Sequence, residues 1–74
     1  MREGVLHKLA QKWPSAIVAR DEISSFTGGA IKPGYIANLD SRGEGPKGRI
    51  RIGRKVCYPV ERVIEWLESR VTIL

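Results

Sequence analysis

The residues best equipped for chemistry in this chain are cations. Residues 47–55 read KGRIRIGRK and hold Lys47, Arg49, Arg51, Arg54 and Lys55 with no acid among them. A run this dense and one-sided suits a polyanion, above all the phosphates of a nucleic acid, better than it suits a merely solvated surface. Residues 59–70 differ, setting Glu61, Glu65 and Glu68 against Arg62 and Arg70. A second group lies upstream. Gly34, Asn38 and Arg42 are spaced by four, which puts them on one line of a helix, with Lys32 and Tyr35 close by. Asparagine can grip adenine with two hydrogen bonds, and arginine can grip guanine. Tyr35 can bond a phosphate or stack on a sugar, and Gly34 removes bulk where the helix would approach a duplex. A helix N-terminus flanked by Lys32 attracts a phosphate.

Other chemistries find little material. One histidine, His7, and one cysteine, Cys57, leave almost nothing from which to build a zinc site. His7 sits among polar neighbours and reads as an exposed helical histidine without an acid–base partner. Ser24 and Ser25 have no base beside them. Gly28-Gly29 lacks both the P-loop and the dinucleotide-binding spacing, so it reads as a helix stop. The expectation is a binding protein and not an enzyme, with no catalytic residue, metal, cofactor or small-molecule substrate. A lone cysteine suits a reducing cytoplasm. No apolar run approaches the roughly 18–20 residues of a membrane span. The opening MREGVLHKLAQKW scatters its charges, unlike a secretory leader. The 74 residues, 42% apolar and 28% charged with a net charge of +5, are enough for one domain with one small core.

That core must come from the elements that carry these side chains. In residues 2–12, Val5, Leu6, Leu9, Ala10 and Trp13 recur at spacings of three and four, and Trp13-Pro14 ends the helix. Ile17-Val18 reads as a strand stub. A second helix near 20–27 carries Asp21 and Glu22 in its first turn and turns Ile23 and Phe26 inward, up to Gly28-Gly29. A third starts at Pro33, with Ile36 and Leu39 inward and Gly34, Tyr35, Asn38, Ser41 and Arg42 outward, and ends at Gly43. Residues 49–58 switch to period two, as a hairpin bent at Gly53. A three-residue loop, Gly53-Arg54-Lys55, is expected, because it sets Ile52 beside Val56 and Ile50 beside Tyr58 on one apolar face. Arg49, Arg51 and Cys57 then point the other way. A last helix begins at Pro59 with Val60, Val63, Ile64, Leu67 and Val71 inward and Trp66 on its flank. Arg62 is placed to pair with Glu65, and Arg70 to sit at the helix C-terminus. Thr72-Ile73-Leu74 reads as a frayed or tucked tail.

Two short helices joined by a glycine turn and followed by a basic hairpin form a helix-turn-helix with a wing, in which the second helix enters the major groove. Residues 17–69 resemble the excisionase-like winged helix-turn-helix domains, relatives of the MerR-type DNA-binding module. The resemblance lies in Val18-Ala19-Arg20-Asp21-Glu22-Ile23, Tyr35-Ile36-Ala37-Asn38-Leu39-Asp40, Arg51-Ile52-Gly53-Arg54-Lys55-Val56, and Tyr58-Pro59-Val60 through Trp66-Leu67. The turn at 27–32 is longer than is usual in that family. Gly34, Tyr35 and Ala37 stand where its members often carry arginine, threonine or further cations. The resemblance implies a prophage- or mobile-element-associated protein that bends attachment-site DNA for an integrase in recombination, or regulates transcription from a nearby promoter. The expected fold class is thus α+β, a small winged helix-turn-helix over 17–69 with an N-terminal helical extension over 1–16. The expected partner is double-stranded DNA, with an integrase or further copies of the chain on adjacent sites. The alternative is a protein-interaction adaptor or inhibitor of phage origin that uses the N-terminal helix. RNA fits less well, because most of the aromatics fall at core positions rather than where bases would stack.

Overall fold

Proline and glycine punctuate the chain, and its elements lie between them. The structure, a computed structural model, describes residues 2–72 and 74. Helix α1 (Arg2–Lys12) stops before Trp13-Pro14 and is followed by strand β1 (Ile17–Ala19). A 3-10 turn (Arg20–Glu22) leads into the single-turn helix α2 (Ile23–Phe26). Helix α3 spans Pro33–Ser41, strands β2 (Ile50–Ile52) and β3 (Lys55–Pro59) form a hairpin, and helix α4 spans Val60–Glu68. The described residues thus form a small α+β fold of four α-helices and one antiparallel sheet, with strand order β1-β3-β2. Among them no helix is long and apolar enough to cross a membrane.

Helices α2 and α3 are each closed at the C-terminal end by glycine. Gly28 and Gly43 adopt positive φ, +66° and +73°, which an L side chain resists. Each allows the chain to fold back and satisfy the last helical carbonyls. Gly29 and Gly28 donate to Ser24 and Ser25, and Glu44 and Gly43 donate to Leu39 and Asp40. The long turn is also held by Thr27, whose hydroxyl donates to the Ile23 carbonyl (2.8 Å) and accepts from the Ile31 amide (3.0 Å). That leaves Ile31 buried beneath the turn.

The core centres on Val18, Ile23, Ile36, Tyr58 and Val63, all fully buried. Covering a side chain of this size stabilises the fold by about 1.5–3 kcal/mol. Phe26, Leu39, Val60, Leu67 and Trp66 complete it. Trp66, expected on the flank, is buried, because its indole N–H reaches the Glu44 carbonyl (2.9 Å). Helix α1 packs along α4 through Leu6, with Leu9 and Ala10 part-covered, while Val5 is exposed. The connection back to the sheet is fastened at three points. Trp13 Nε1 donates to the Ile17 carbonyl (2.8 Å), its ring meets Phe26 edge-on at 5.3 Å, and the Val60 amide donates to Ala16 (2.9 Å). Of the tail, Leu74 is exposed rather than tucked, and Ile73 lies outside the described residues.

The hairpin departs from the sequence expectation. Its loop is the two-residue Gly53-Arg54, and the pairs are Ile52 with Lys55, Arg51 with Val56 and Ile50 with Cys57. Gly53 takes φ +61° at the first loop position, as in a type II′ turn, whose twist matches that of the flanking strands. The register of β3 is also set from its other side. Pairing of Val18 with Tyr58 turns both into the core and turns Cys57, opposite Ala19, the other way. Ile50 and Ile52 therefore share the outer face with a buried Cys57 and are exposed, while Arg51 shares the inner face with Val56 and Tyr58. An even loop in place of an odd one moves a whole strand's side chains to the opposite face.

Candidate nucleic-acid interface

Helix α3 presents the side chains it was expected to present. Ile36 and Leu39 are buried, and Gly34, Tyr35, Asn38, Ser41 and Arg42 are all exposed. Pro33 occupies the first helical position behind Lys32, and no side chain caps that end. Lys32 is exposed there, beside unsatisfied backbone N–H groups. At the other end Arg42 caps the helix and leans 3.8 Å from Glu44. Tyr35 is half exposed, and its hydroxyl accepts from Arg70 (3.3 Å). Arg70 also stacks over the Trp66 ring at 4.7 Å, so a side chain expected only to cap α4 joins α4 to α3.

The hairpin cations are exposed but not equivalent. Lys55 is hydrogen-bonded to Asp21, which raises its pKa above the ordinary lysine value first through that bond and then through Coulomb attraction. Arg49 points back toward Asp40 at 3.8 Å. Lys47, Arg51 and Arg54, with Lys32 just before α3, form no ion pair among the described residues. The hairpin tip and the start of α3 border the same cleft. Arg54, Lys55 and Val56 line one open cleft of about 250 Å³ with Pro33, Arg20 and Asp21. Lys47 lies elsewhere, beside Trp66 and Arg62 on the α4 side. The structure therefore gathers Lys32, Gly34, Arg54 and Lys55 around the helix start, and leaves Arg42 and Lys47 apart.

A buried acid that the sequence reading passed over supports this geometry. Asp40, on α3, is buried, and its Oδ2 accepts from Arg20 (2.6 Å) and from the Tyr58 hydroxyl (2.5 Å). Arg20 Nε also donates to that hydroxyl (3.0 Å). Burial, and then the bond to Asp40, push the Tyr58 phenol up to about 12. Asp40 Oδ1 has no hydrogen-bond partner, and the Cα of Gly45 packs so closely that a Cβ there would fall 1.9 Å from it. One carboxylate thus ties α3 to the 3-10 turn and to β3, and holds Arg49 near the base of the hairpin. The signal was present in the helical period, since Ile36, Leu39 and Asp40 follow the i, i+3, i+4 pattern of an inward face.

No protein-family model, curated protein or solved structure matches this chain. The site therefore stands on its own geometry. His7 is exposed and shares a hydrogen bond with Gln11 (3.2 Å). Cys57 is a buried free thiol. Among the described residues no three His, Cys, Asp or Glu side chains come close enough together to hold a metal ion.

Proposed function

We propose that the chain is a winged helix-turn-helix protein that binds double-stranded DNA, as an excisionase-like architectural factor or a small regulator of a prophage or other mobile element. The observation that carries this reading is the shared cleft, which sets hairpin tip cations beside the open N-terminus of α3. In this reading α3 enters the major groove with Asn38 facing the bases, Arg42 at the helix end and Tyr35 against the backbone. The hairpin is the wing, and Arg51 and Arg54 neutralise adjacent phosphates. It is a binding function, with no catalytic step and no cofactor, exercised in the cytoplasm.

Binding to a random duplex, measured as a function of salt, tests it. Of the cations expected at the interface, Lys32, Lys47, Arg51 and Arg54 form no ion pair among the described residues, so about four phosphates are neutralised. Log K should then fall against log salt with a slope of about −3 to −4. Binding that ignores salt would overturn the reading. The rival adaptor would dock through α1, but Leu6, Leu9 and Ala10 face the core and Val5 alone of that stripe is exposed. Retention of duplex binding by a Val5→Lys variant counts against the rival.

A further inference from the structure

Ile50 and Ile52 are 47% and 53% exposed, whereas Ile23, Ile31 and Ile36 lie at 9% or below. Both belong to the outer face of the hairpin, where the described residues leave about half of each open. Ile52 immediately precedes the turn, with Gly53-Arg54 beyond it and Lys55 across from it. Arg54 lies beyond it in the turn, Arg51 precedes it on the opposite face, and the whole run from 47 to 55 holds five cations and no acid.

We propose that Ile52, backed by Ile50, is an apolar wedge that enters the base stack of bound duplex DNA and kinks it. This rests on the DNA-binding reading above and adds to it a mechanism of deformation. Charge selects the occupant. An apolar protein surface laid on these isoleucines would have to cover Lys55 with its ion pair to Asp21 and lie beside Arg54, desolvating charge that it cannot compensate. A duplex offers both requirements at once, with phosphates on its rails for the cations and an apolar stack between them for the isoleucines. Proteins that combine arginine and lysine with an inserted Ile, Leu, Phe or Met unstack one base step and bend the duplex by roughly 20–90°. The step chosen should be a flexible pyrimidine–purine step, where unstacking costs least.

The test uses the full chain and a short duplex labelled at both ends for energy transfer, with a fluorescent base analogue that reports stacking. Parent, Ile52→Ser and Ile52→Leu proteins are compared, after thermal melts show all three folded. The parent should bring the duplex ends together, brighten the analogue at one step, and bind a duplex with a single mismatch about tenfold more tightly than a perfect one. Ile52→Ser should bind the perfect duplex within a few-fold of the parent, leave it straight and stacked, and lose the mismatch preference. Ile52→Leu should restore all three. A parent that binds with the expected salt dependence yet leaves the duplex straight overturns the wedge and leaves the DNA-binding reading intact. A parent that binds no duplex overturns both. Self-association abolished by Ile52→Ser, with bending unchanged, assigns this face to a second copy of the chain and overturns the wedge.

Discussion

The Asp40 carboxylate spends one oxygen on Arg20 and Tyr58 and leaves the other buried, with only the Arg49 guanidinium 3.8 Å away. Removing an acid from such a group strands its partners. Asp40→Ala should cost about 2–4 kcal/mol, because the Tyr58 hydroxyl is then buried without an acceptor. Denaturant melts will show it. Gly45→Ala should also destabilise, by about 1–3 kcal/mol, since the new Cβ collides with Oδ1 of a carboxylate whose other oxygen, Oδ2, is held in place by two hydrogen bonds. The two changes should add less than fully, because Asp40→Ala removes the atom that Gly45→Ala meets. Full additivity would mean that Asp40 yields freely. Tyr58 supplies a pH test. The fold favours the neutral phenol, so its contribution is complete below the ordinary tyrosine value of 10.0 and is lost as pH climbs through about 12. The melting temperature of the parent should fall faster over that interval than that of Tyr58→Phe. None of this was read from the sequence, although Asp40 sits in phase with Ile36 and Leu39. An acid in an apolar phase is ordinarily an exposed edge of the stripe, and only Arg20 and Tyr58, distant in the chain, make it a core residue.

Among the elements, the helices and their stops were legible and the hairpin pairing was not. Pro33, Gly28 and Gly43 act through local backbone geometry, which a local pattern reveals. The faces of β2 and β3 depend on whether their loop is odd or even, and on β1, which pairs with β3 from far along the chain. Alternation within each strand was correct, and the phase between them was not. The consequence is measurable. The odd-loop register makes Ile52 a core residue, whereas in the structure it is half exposed, so Ile52→Ala should change stability by about 0.5 kcal/mol or less. Ile23→Ala, at a fully buried position, should cost about 2–5 kcal/mol. Comparable losses from the two would contradict the even loop.

For the whole molecule, the proposed DNA-binding function divides the site between a part that would attract a duplex and a part that would read it. Arg51 and Arg54 carry no ion pair among the described residues, so replacing either by alanine should weaken all duplexes alike and flatten the salt slope by about one unit. Asn38→Ala and Arg42→Ala should instead cost about 1–3 kcal/mol at the preferred site and little on random DNA. Selection from random duplexes, run with parent and both variants, distinguishes these roles. Identical preferences from all three proteins would make α3 a positioning element, with any specificity arising from DNA shape. The exposed faces of α3 and the concentration of charge in the hairpin were legible because both are local. The joining of hairpin tip to helix start, and the diversion of Arg49 and Lys55 to acids, were not, since both are made by tertiary neighbours.

One consequence concerns how the chain is made. Strand β1 has a single partner, β3, and the Val60 amide closes back on Ala16. During synthesis the segment from β1 through α3 is complete long before the residues that cover it leave the ribosome. Val18, Ile23 and Ile36 must wait for Tyr58 and Val63 before their burial is finished. Contacts of such long sequence separation slow folding and bind early and late segments into one cooperative event. A chain released before β3 should therefore be unstructured and open to proteolysis, which makes the integrity of the last helix a condition for the first two-thirds of the molecule to exist as a fold at all.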